Sequence, residues 1–330
     1  MKILKQKDLP LDLSYTVATI GNFDGVHLGH QALFEETVKR ARLKHGKAVA
    51  ITFDPHPLQV LRPEVPLKLI CTLEQKIKLI QKAGLDYLLI LEFTPELAAL
   101  EAEAFVEEIL VRGLKVKELV VGYDYRFGRG RKGDVDLLRS LGHRFGFQVI
   151  VIPPQKINGL TVSSSLVREL VTKGEVALVR KLLGRPYQIC GQVIPGHGRG
   201  RKLLGFPTAN LKLSREKLLP KEGVYAVEVF FDGERYAGVM NLGYNPTFGD
   251  QYLSAEVHIF DFEGDLYGKE ICIALIERLR DEKKFSSPEE LAAQIAQDCK
   301  QARAILASRA KILHEEVRHG MPKREEPYPV

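Results

Sequence analysis

Residues 15–30 read YTVATIGNFDGVHLGH. The first six are β-branched, aromatic or small and apolar, which is typical of a buried strand. Glycines follow at 21, 25 and 29, and a helical pattern of apolar residues begins near residue 30. A strand that leads through glycines into a helix brings unpaired backbone N–H groups and a partial positive charge to one point. The stretch therefore predicts a site for an anion such as phosphate.

Two histidines stand at the start of this helix. His27 and His30 are three residues apart, so their imidazoles point the same way if the first turn is helical. Donors fixed around a phosphoryl group stabilise the charge that develops during transfer, and losing one costs on the order of 3 kcal/mol. Ordinary loop histidines, or a metal pair without its other ligands, are the alternatives, but the neighbouring glycines favour the phosphate site. The candidate phosphate-binding residues of the turn are Gly21, Asn22, Phe23, Asp24, Gly25 and Gly29.

Up to about residue 183 the chain alternates short β-rich runs with amphipathic helical stretches. Strands separated by crossover helices imply a parallel, doubly wound α/β sheet, in which ligands bind beyond the carboxyl ends of the strands. The glycine turn follows the first of these predicted strands directly. Strands are predicted at Tyr15–Ile20, Ala48–Phe53, Tyr87–Leu91, Leu119–Val121 and Phe147–Ile152, and helices near 30–44, 73–82, 102–111 and 135–144.

Two more segments of this half could contact an anion. Ser163, Ser164 and Ser165 open another predicted helix, and Arg168 follows one turn later, which suits the outer phosphates of a nucleotide. A plain helix N-cap explains the serines equally well. Residues 128–133 match G-x-G-x-x-G, but no acidic residue follows about 20 positions later, so we reject a dinucleotide fingerprint. A basic loop over phosphates and a merely solvated loop both remain. No G-x-x-x-x-G-K-[ST] motif occurs, which excludes P-loop chemistry.

The sequence changes character after Gly184-Arg-Pro186, where strands are joined by turns rich in glycine and aspartate. Five or six such strands, with a tight hairpin at Asp232-Gly233, suggest a small antiparallel barrel. A last helix is predicted from Ser287, since Ser-Pro-Glu-Glu supplies an N-cap, a first-turn proline and a capping-box glutamate. The predicted strands are Gln188–Ile194, Val224–Phe231, Tyr236–Asn241, Ser254–Phe260 and Ile271–Ile276. We expect domains at 1–184 and 185–310 and a tail at 311–330.

Residues 196–210 read GHGRGRKLLGFPTAN. Gly198, Gly200 and Lys202 suit the phosphates of ATP, while Thr208 and Asn210 can offer oxygens to a Mg²⁺ ion or another divalent cation. An RGG-like nucleic-acid-binding arm is the competing interpretation. Further on, Glu256 projects from a predicted strand and could act as a general base, although most strand glutamates are simply solvated.

Composition limits the class of protein. The 330 residues include 45% hydrophobic and 27% charged residues, which is typical of globular domains. A net charge of +6 favours anionic partners. The charged N-terminus and the lack of long apolar runs predict a cytoplasmic protein without a membrane contact. The four cysteines are far apart, so we expect reduced thiols.

These motifs together resemble a known family. G-x-F-D-G-x-H-x-G-H at 21–30, the V-G-x-D-F-R-F-G-x-x-x-x-G-D pattern at 121–134 and S-S-x-x-x-R at 163–168 resemble the FMN adenylyltransferase half of bacterial bifunctional riboflavin kinase/FAD synthetases, members of the nucleotidyltransferase superfamily. Tyr125 replaces a common Phe, and Ser165 a common Thr. The P-T-A-N, E-x-H-x-F-D-F and R-x-E-x-x-F motifs at 207–210, 256–262 and 280–285 resemble riboflavin kinase.

The resemblance implies a Rossmann-like domain followed by a six-stranded barrel with a C-terminal helix. It implies that ATP phosphorylates riboflavin to FMN at the barrel and then adenylylates FMN to FAD, releasing pyrophosphate. Glu256 would be the kinase base, Thr208 and Asn210 would hold Mg-ATP, and Asp124, Arg126, Arg280 and Glu282 would contact flavin. No nucleic-acid partner is expected, and an oligomer is possible but not indicated. The alternatives are an adenylyltransferase with an inactive barrel and a basic RNA-binding protein.

Overall fold

The computed structural model describes residues 1–195, 206–245 and 252–318. The chain divides into two compact units, Met1–Ser164 and Ser165–Val330. The predicted boundary at residue 184 stays a prediction.

The first unit is built on a six-stranded parallel sheet with the strand order β1-β4-β3-β2-β5-β6. All five residues of the inner strand β2 are buried, which explains its apolar and β-branched sequence. The predicted parallel sheet is confirmed. The additional strand β1 was not predicted, because it is short and has a lysine at each end. The strands are β1 Lys2–Lys5, β2 Thr16–Ile20, β3 Lys47–Asp54, β4 Tyr87–Glu92, β5 Val116–Gly122 and β6 Gln148–Ile152.

Helices connect these strands. The third helix begins with a capping box: the Thr72 hydroxyl accepts from the Gln75 backbone N–H at 3.3 Å, and the Gln75 side chain accepts from the Thr72 N–H at 3.2 Å. A π-helical stretch, Val106–Gly113, continues the fifth helix, and a small hairpin of β7 and β8 follows β6. The elements are α1 Leu28–Leu43, α2 Pro57–Leu61, α3 Leu73–Lys82, α4 Pro95–Ala99, α5 Ala102–Phe105, α6 Val135–Phe145, β7 Lys156–Ile157 and β8 Leu160–Thr161.

Two helices precede the barrel of the second unit. They are α7, Ser164–Lys173, whose first residue lies at the division between the units, and α8, Val176–Leu183. Gly184 ends α8 in the left-handed region at φ 68°, where a glycine costs no strain.

The barrel closes with the strand order β10-β13-β12-β11-β14-β9, and every neighbouring pair is antiparallel. The hairpin between β11 and β12 turns at Asp232 and Gly233, both at positive φ, as the Asp-Gly pair predicts. The six-stranded barrel is confirmed. Its strands are β9 Tyr187–Ile194, β10 Ala209–Leu213, β11 Gly223–Phe231, β12 Glu234–Asn245, β13 Tyr252–Ile259 and β14 Glu270–Arg280.

The terminal helix α9, Pro288–Arg318, packs against the barrel. Its buried face carries Cys299, Ala302 and Leu306, which join Val224 and Ile276 of the barrel in one apolar cluster. The Ser287 hydroxyl accepts from the Glu290 N–H at 3.2 Å, so the predicted N-cap is present. The helix ends at Arg318, and the remainder of the predicted tail lies outside the described residues.

The expectation of four reduced cysteines is wrong for one pair. Cys190 on β9 and Cys272 on β14 are directly opposite in register, with their Cα atoms 4.1 Å apart, and form a disulfide. The two cysteines are 82 residues apart in sequence, and closure of the barrel brings them together. Cys71 and Cys299 are free and buried.

Among the helices within the described ranges, none combines the length and the apolar character needed to cross a membrane.

Candidate active sites

The glycine turn joins the carboxyl end of β2 to the N-terminus of α1, as predicted. Gly25 has φ +83°, and a Cβ atom on it would lie only 2.8 Å from Cγ2 of Ile70. Both the backbone conformation and this close contact require glycine. The turn therefore has a shape that side chains at this position would destroy.

The two histidines lie side by side at the start of α1. Nδ1 of His27, the N-cap residue, accepts from the backbone N–H of His30 at 3.3 Å. The two rings stack with centroids 3.6 Å apart and an interplanar angle of 17°, as the spacing predicts. His27 is 6% exposed, while His30 is half-buried. The helix start thus presents two stacked imidazoles.

Phe23 and Asp24 support the turn from beneath. The Phe23 ring is fully buried and packs edge-on against both His30 and Phe34. The buried Asp24 carboxylate accepts from the backbone N–H groups of Ile70 at 3.2 Å and Cys71 at 3.1 Å. Both side chains therefore hold the turn in place, and the exposed Asn22 is the neighbour that faces solvent.

Part of the predicted serine motif lies beside this turn. The Ser164 hydroxyl donates to the backbone carbonyl of Asp24 at 2.9 Å. A Cβ atom on Gly29 would lie 3.9 Å from the carbonyl oxygen of Val162, so the segment before α7 lies next to the start of α1. Ser163 is half-buried in this segment. Ser165 and Arg168 belong to the second unit, and their part in an anion site stays a prediction.

The basic loop after β5 is closed by its own backbone. Phe127 and Gly133 exchange two backbone hydrogen bonds of 3.1 and 3.0 Å, and the Tyr125 ring stacks on Phe127. Burial raises the pKa of the Tyr125 hydroxyl. Arg126 donates to Asp134 at 3.1 Å, while Asp134 also caps α6 by accepting from a backbone N–H. That N–H holds the pKa of the Asp134 carboxyl below its usual value. Asp124 is exposed at the start of the loop.

A further residue at the same edge of the sheet escaped the sequence analysis. His56 follows the parallel strand β3, which is paired with β2, and it is 6% exposed. Its Nδ1 caps α2 by accepting from the Leu58 N–H at 3.2 Å. The segment Asp54-Pro-His-Pro57 lies at the carboxyl end of a strand, and that position was the signal that could have found it.

One cavity of about 360 Å³ in the second unit is lined by four of the predicted kinase residues, and Asn210 is not part of its lining. Thr208, Glu256 and the neighbouring pair Arg280 and Glu282 come from three segments that are separate in sequence, and all four residues line it. Ten other residues within the described ranges line the cavity, and no role was predicted for them from the sequence. These are Phe206, Val224, Val239, Asn241, His258, Lys283, Phe285, Leu291, Ile295 and Asp298.

Glu256 occupies the middle of a polar row across three strands. On β13 it is in register with Asn210 of β10 on one side and with Asn241 of β12 on the other. Residues that pair across antiparallel strands share a face, so these three side chains project together. The neighbouring Val257 is fully buried on the other face. The row therefore offers a carboxylate and two amides to one ligand.

The segment after β14 forms one wall of the cavity. Asp298 of α9 accepts from Arg280, with Nε–Oδ1 at 3.0 Å and Nη2–Oδ2 at 2.8 Å. Glu282 accepts from the side-chain amide of Asn241 at 3.3 Å. Asp281 between them turns away, and the Arg278 guanidinium and the Lys221 ammonium lower its carboxyl pKa to about 2. Gly198, Gly200 and Lys202 lie outside the described residues.

The oxygens near this cavity are the hard donors that Mg²⁺ prefers. Thr208 contributes a hydroxyl, and Asn210 and Glu256 are paired next to each other in the barrel. Across residues 1–195, 206–245 and 252–318, no group of three or more histidine, cysteine, aspartate or glutamate side chains is arranged to hold a metal ion. The donor set thus fits a cation that keeps most of its water and is held largely by nucleotide phosphates.

Comparisons with known proteins match both units. A family model described as FAD synthetase matches residues 10–166, and one described as riboflavin kinase matches residues 183–306. A bifunctional riboflavin kinase/FMN adenylyltransferase of Escherichia coli is 40% identical over 86% of this chain and 90% of its own length. The protein of that description from Pseudomonas fluorescens is 41% identical over 89% and 94% of the two chains. For the one from Listeria monocytogenes the values are 40%, 88% and 92%.

A solved structure also resembles the chain. The crystal structure described as a macrolide-efflux protein from Streptococcus pneumoniae is 32% identical in sequence. It superposes with a TM-score of 0.82 and covers 90% of this chain and 97% of its own.

Proposed function

We propose residue roles from one premise: the chain belongs to the bifunctional riboflavin kinase/FMN adenylyltransferase family and carries both activities. Its substrates and products are therefore ATP, riboflavin, FMN and FAD. The family models for FAD synthetase and for riboflavin kinase both match the chain. Neither alternative, an adenylyltransferase with an inactive barrel or an RNA-binding protein, is therefore favoured.

Glu256 is the general base of the kinase reaction. The ribityl 5′-hydroxyl of riboflavin attacks the γ-phosphorus of ATP, ADP leaves, and the Glu256 carboxylate takes the hydroxyl proton. The observation that carries this proposal is the common cavity lined by Thr208, Glu256, Arg280 and Glu282, which come from three segments that are separate in sequence. A carboxylate held on a rigid strand beside two amides keeps a fixed distance to the attacking hydroxyl.

Thr208 and Asn210 bind the ATP of this reaction together with Mg²⁺. The bound cation neutralises charge on the phosphates during transfer. The hydroxyl and amide oxygens of these residues orient the nucleotide, and Gly198, Gly200 and Lys202 complete the phosphate contacts. Arg280 at the end of β14 and Glu282 just after it contact the flavin.

His27 and His30 act in the adenylyl transfer. The FMN phosphate attacks the α-phosphorus of ATP in line and pyrophosphate leaves, so no covalent enzyme intermediate is needed. The stacked imidazoles donate hydrogen bonds to the α- and β-phosphates as charge develops, which is the step in which fixed donors contribute most. Gly21, Asn22, Gly25 and Gly29 let the backbone approach these phosphates.

The remaining candidates complete the adenylyltransferase site. Phe23 and Asp24 maintain the turn, as their packing and backbone hydrogen bonds support. Ser163, Ser164, Ser165 and Arg168 bind the leaving pyrophosphate, and Asp124 and Arg126 contact FMN. The protein acts on small molecules in the cytoplasm, without a nucleic-acid or membrane partner.

Separate assays of the two reactions test these roles. Glu256→Gln is expected to lower FMN formation from riboflavin at least a hundredfold and to leave FMN-to-FAD conversion unchanged. His30→Ala is expected to do the reverse. Glu270→Gln and His143→Ala, exposed residues of the same types, serve as controls and should change neither rate. Loss of both reactions from a folded Glu256→Gln or His30→Ala variant would refute the assignment.

A further inference from the structure

The Arg280 side chain, at the end of β14, is fixed by several hydrogen bonds. Its side chain is only 16% exposed, and its Nε and Nη2 atoms meet Asp298 at 2.8–3.1 Å. Its Nη1 donates to the backbone carbonyl of Asp281 at 2.9 Å. A guanidinium has five N–H groups, so these contacts leave one on each Nη atom for another partner. The guanidinium is thus held by two partners, the Asp298 carboxylate and the Asp281 carbonyl.

Asp298 is itself built into the structure. Its side chain is 5% exposed, and its Oδ1 also accepts from the Gln294 amide one turn earlier on α9, at 3.0 Å. A buried carboxylate is costly unless its oxygens are satisfied, and here the Arg280 fork and Gln294 satisfy them. Since Asp298 also lines the cavity beside Glu256, the fork fixes Arg280 within the kinase site.

The nearer acid does not do this. Asp281 follows Arg280 directly in sequence, yet its carboxylate pairs with Arg278 at 2.6 Å and Lys221 at 2.9 Å. The partner of Arg280 comes instead from the terminal helix. We propose that Asp298 is the positioning residue that aims Arg280 at the flavin, which makes α9 a part of the kinase site rather than only a cover for the barrel.

This inference rests on the proposed kinase site and makes a distinct statement about binding. Without the Asp298 carboxylate, Arg280 loses its orientation and the flavin loses a preorganised donor, whereas the base Glu256 is untouched. The expected change is a rise of ten- to a hundredfold in KM for riboflavin with kcat altered less than about threefold. FMN-to-FAD conversion should stay unchanged because the glycine turn with His27 and His30 lies in the first unit, and thermal unfolding reports whether the barrel is folded.

The test is a double-mutant cycle in the full-length protein. Asp298→Asn, Arg280→Ala and the double variant are assayed for riboflavin phosphorylation, for FMN adenylylation and for thermal unfolding. If Asp298 acts through Arg280, the double variant is no worse than Arg280→Ala alone. The control is Asp261→Asn, which breaks a similar fork between Arg303 of α9 and Asp261, at 2.7 and 2.9 Å, on exposed side chains outside the cavity lining.

Each outcome decides the question. A raised KM with non-additive effects supports the positioning role. An unchanged KM in Asp298→Asn, effects that multiply in the double variant, or a parallel loss of melting temperature and of both activities overturns it. These results stay separate from the kinase assignment, which is tested by riboflavin phosphorylation in the wild-type chain and in the Glu256→Gln variant.

Discussion

Asn210 of β10 and Glu256 of β13 are paired across neighbouring antiparallel strands, so an amide and a carboxylate stand next to each other on one face of the barrel. One of them lies in the P-T-A-N motif and the other in a strand far along the chain. Their pairing places the proposed ATP-binding residue beside the proposed base, which suits a reaction in which hydroxyl and γ-phosphate must meet.

Asn210→Ala should therefore impair phosphorylation more than riboflavin binding. Removing the amide takes a ligand from the nucleotide and its cation, and we expect kcat for FMN formation to fall about a hundredfold. Steady-state kinetics with ATP, Mg²⁺ and riboflavin each varied would measure this. FMN-to-FAD conversion in the same variant is the internal control, and a kcat within threefold of wild type would contradict the role.

Gly25→Ala should disrupt the glycine turn between β2 and α1. The new Cβ atom would lie 2.8 Å from Ile70, and the alanine would have to keep a φ of +83°. Steric crowding and backbone strain therefore both destabilise the variant. We expect a loss in the free energy of unfolding of about 2–4 kcal/mol, measured by urea denaturation, together with loss of FAD formation. Gly159→Ala is the matched control, because Gly159 has φ +80° with no atom within 4 Å. Strain alone should cost it about 1–2 kcal/mol, and equal losses in both variants would argue against crowding.

The carboxyl group of Asp281 should titrate near pH 2. Its folded-state pKa lies below the unfolded value because Arg278 and Lys221 stabilise the charged form. The group therefore contributes stability that is present above about pH 4 and disappears as the pH falls toward 2. Carbon-detected NMR titration would measure the pKa, and Lys221→Ala should raise it toward 3.8. A wild-type pKa at the ordinary value would show that the ion pairs do not persist in solution.

Reduction of the Cys190–Cys272 bond should lower stability. The bond closes a loop of 82 residues, so breaking it raises the conformational entropy of the unfolded chain. We expect the free energy of unfolding to fall by about 2–4 kcal/mol. Denaturation with and without dithiothreitol would measure it. A Cys190→Ala/Cys272→Ala double variant should be insensitive to the reductant. Four free thiols in the unreduced, unfolded protein would show that the bond does not form.

The predicted elements succeeded where the information was local. The strand at 16–20, the turn at 21–27 and the hairpin at Asp232-Gly233 depend on neighbouring residues whose backbone preferences can be recognised directly. The strands β1 and β10 were missed. The first is short and ends in lysines, and the second was interpreted only as part of the P-T-A-N motif. In both cases pairing with a distant strand supplies the stability that the short segment lacks.

The candidate sites follow the same division. His27, His30, Thr208, Asn210 and Glu256 could be proposed from the sequence because their motifs are contiguous. His56, Asn241 and Asp298 were not proposed, because their positions depend on contacts between distant segments. His56 follows a strand that pairs with β2, Asn241 is in register with Glu256, and Asp298 lies on a helix that packs against the barrel. The Cys190–Cys272 bond was not expected for the same reason: spacing in sequence says little about residues that face each other across a closed barrel.

The amino-acid sequence by itself determined the two architectures, the glycine turn and the chemical types of the candidate site residues, because hydrophobic periodicity and turn chemistry act over a few residues. Only the tertiary structure decided which groups share a cavity, which acid orients Arg280 and which cysteines join. These relationships depend on strand register and on the docking of α9 against the barrel, and both are set by the packing of the whole unit.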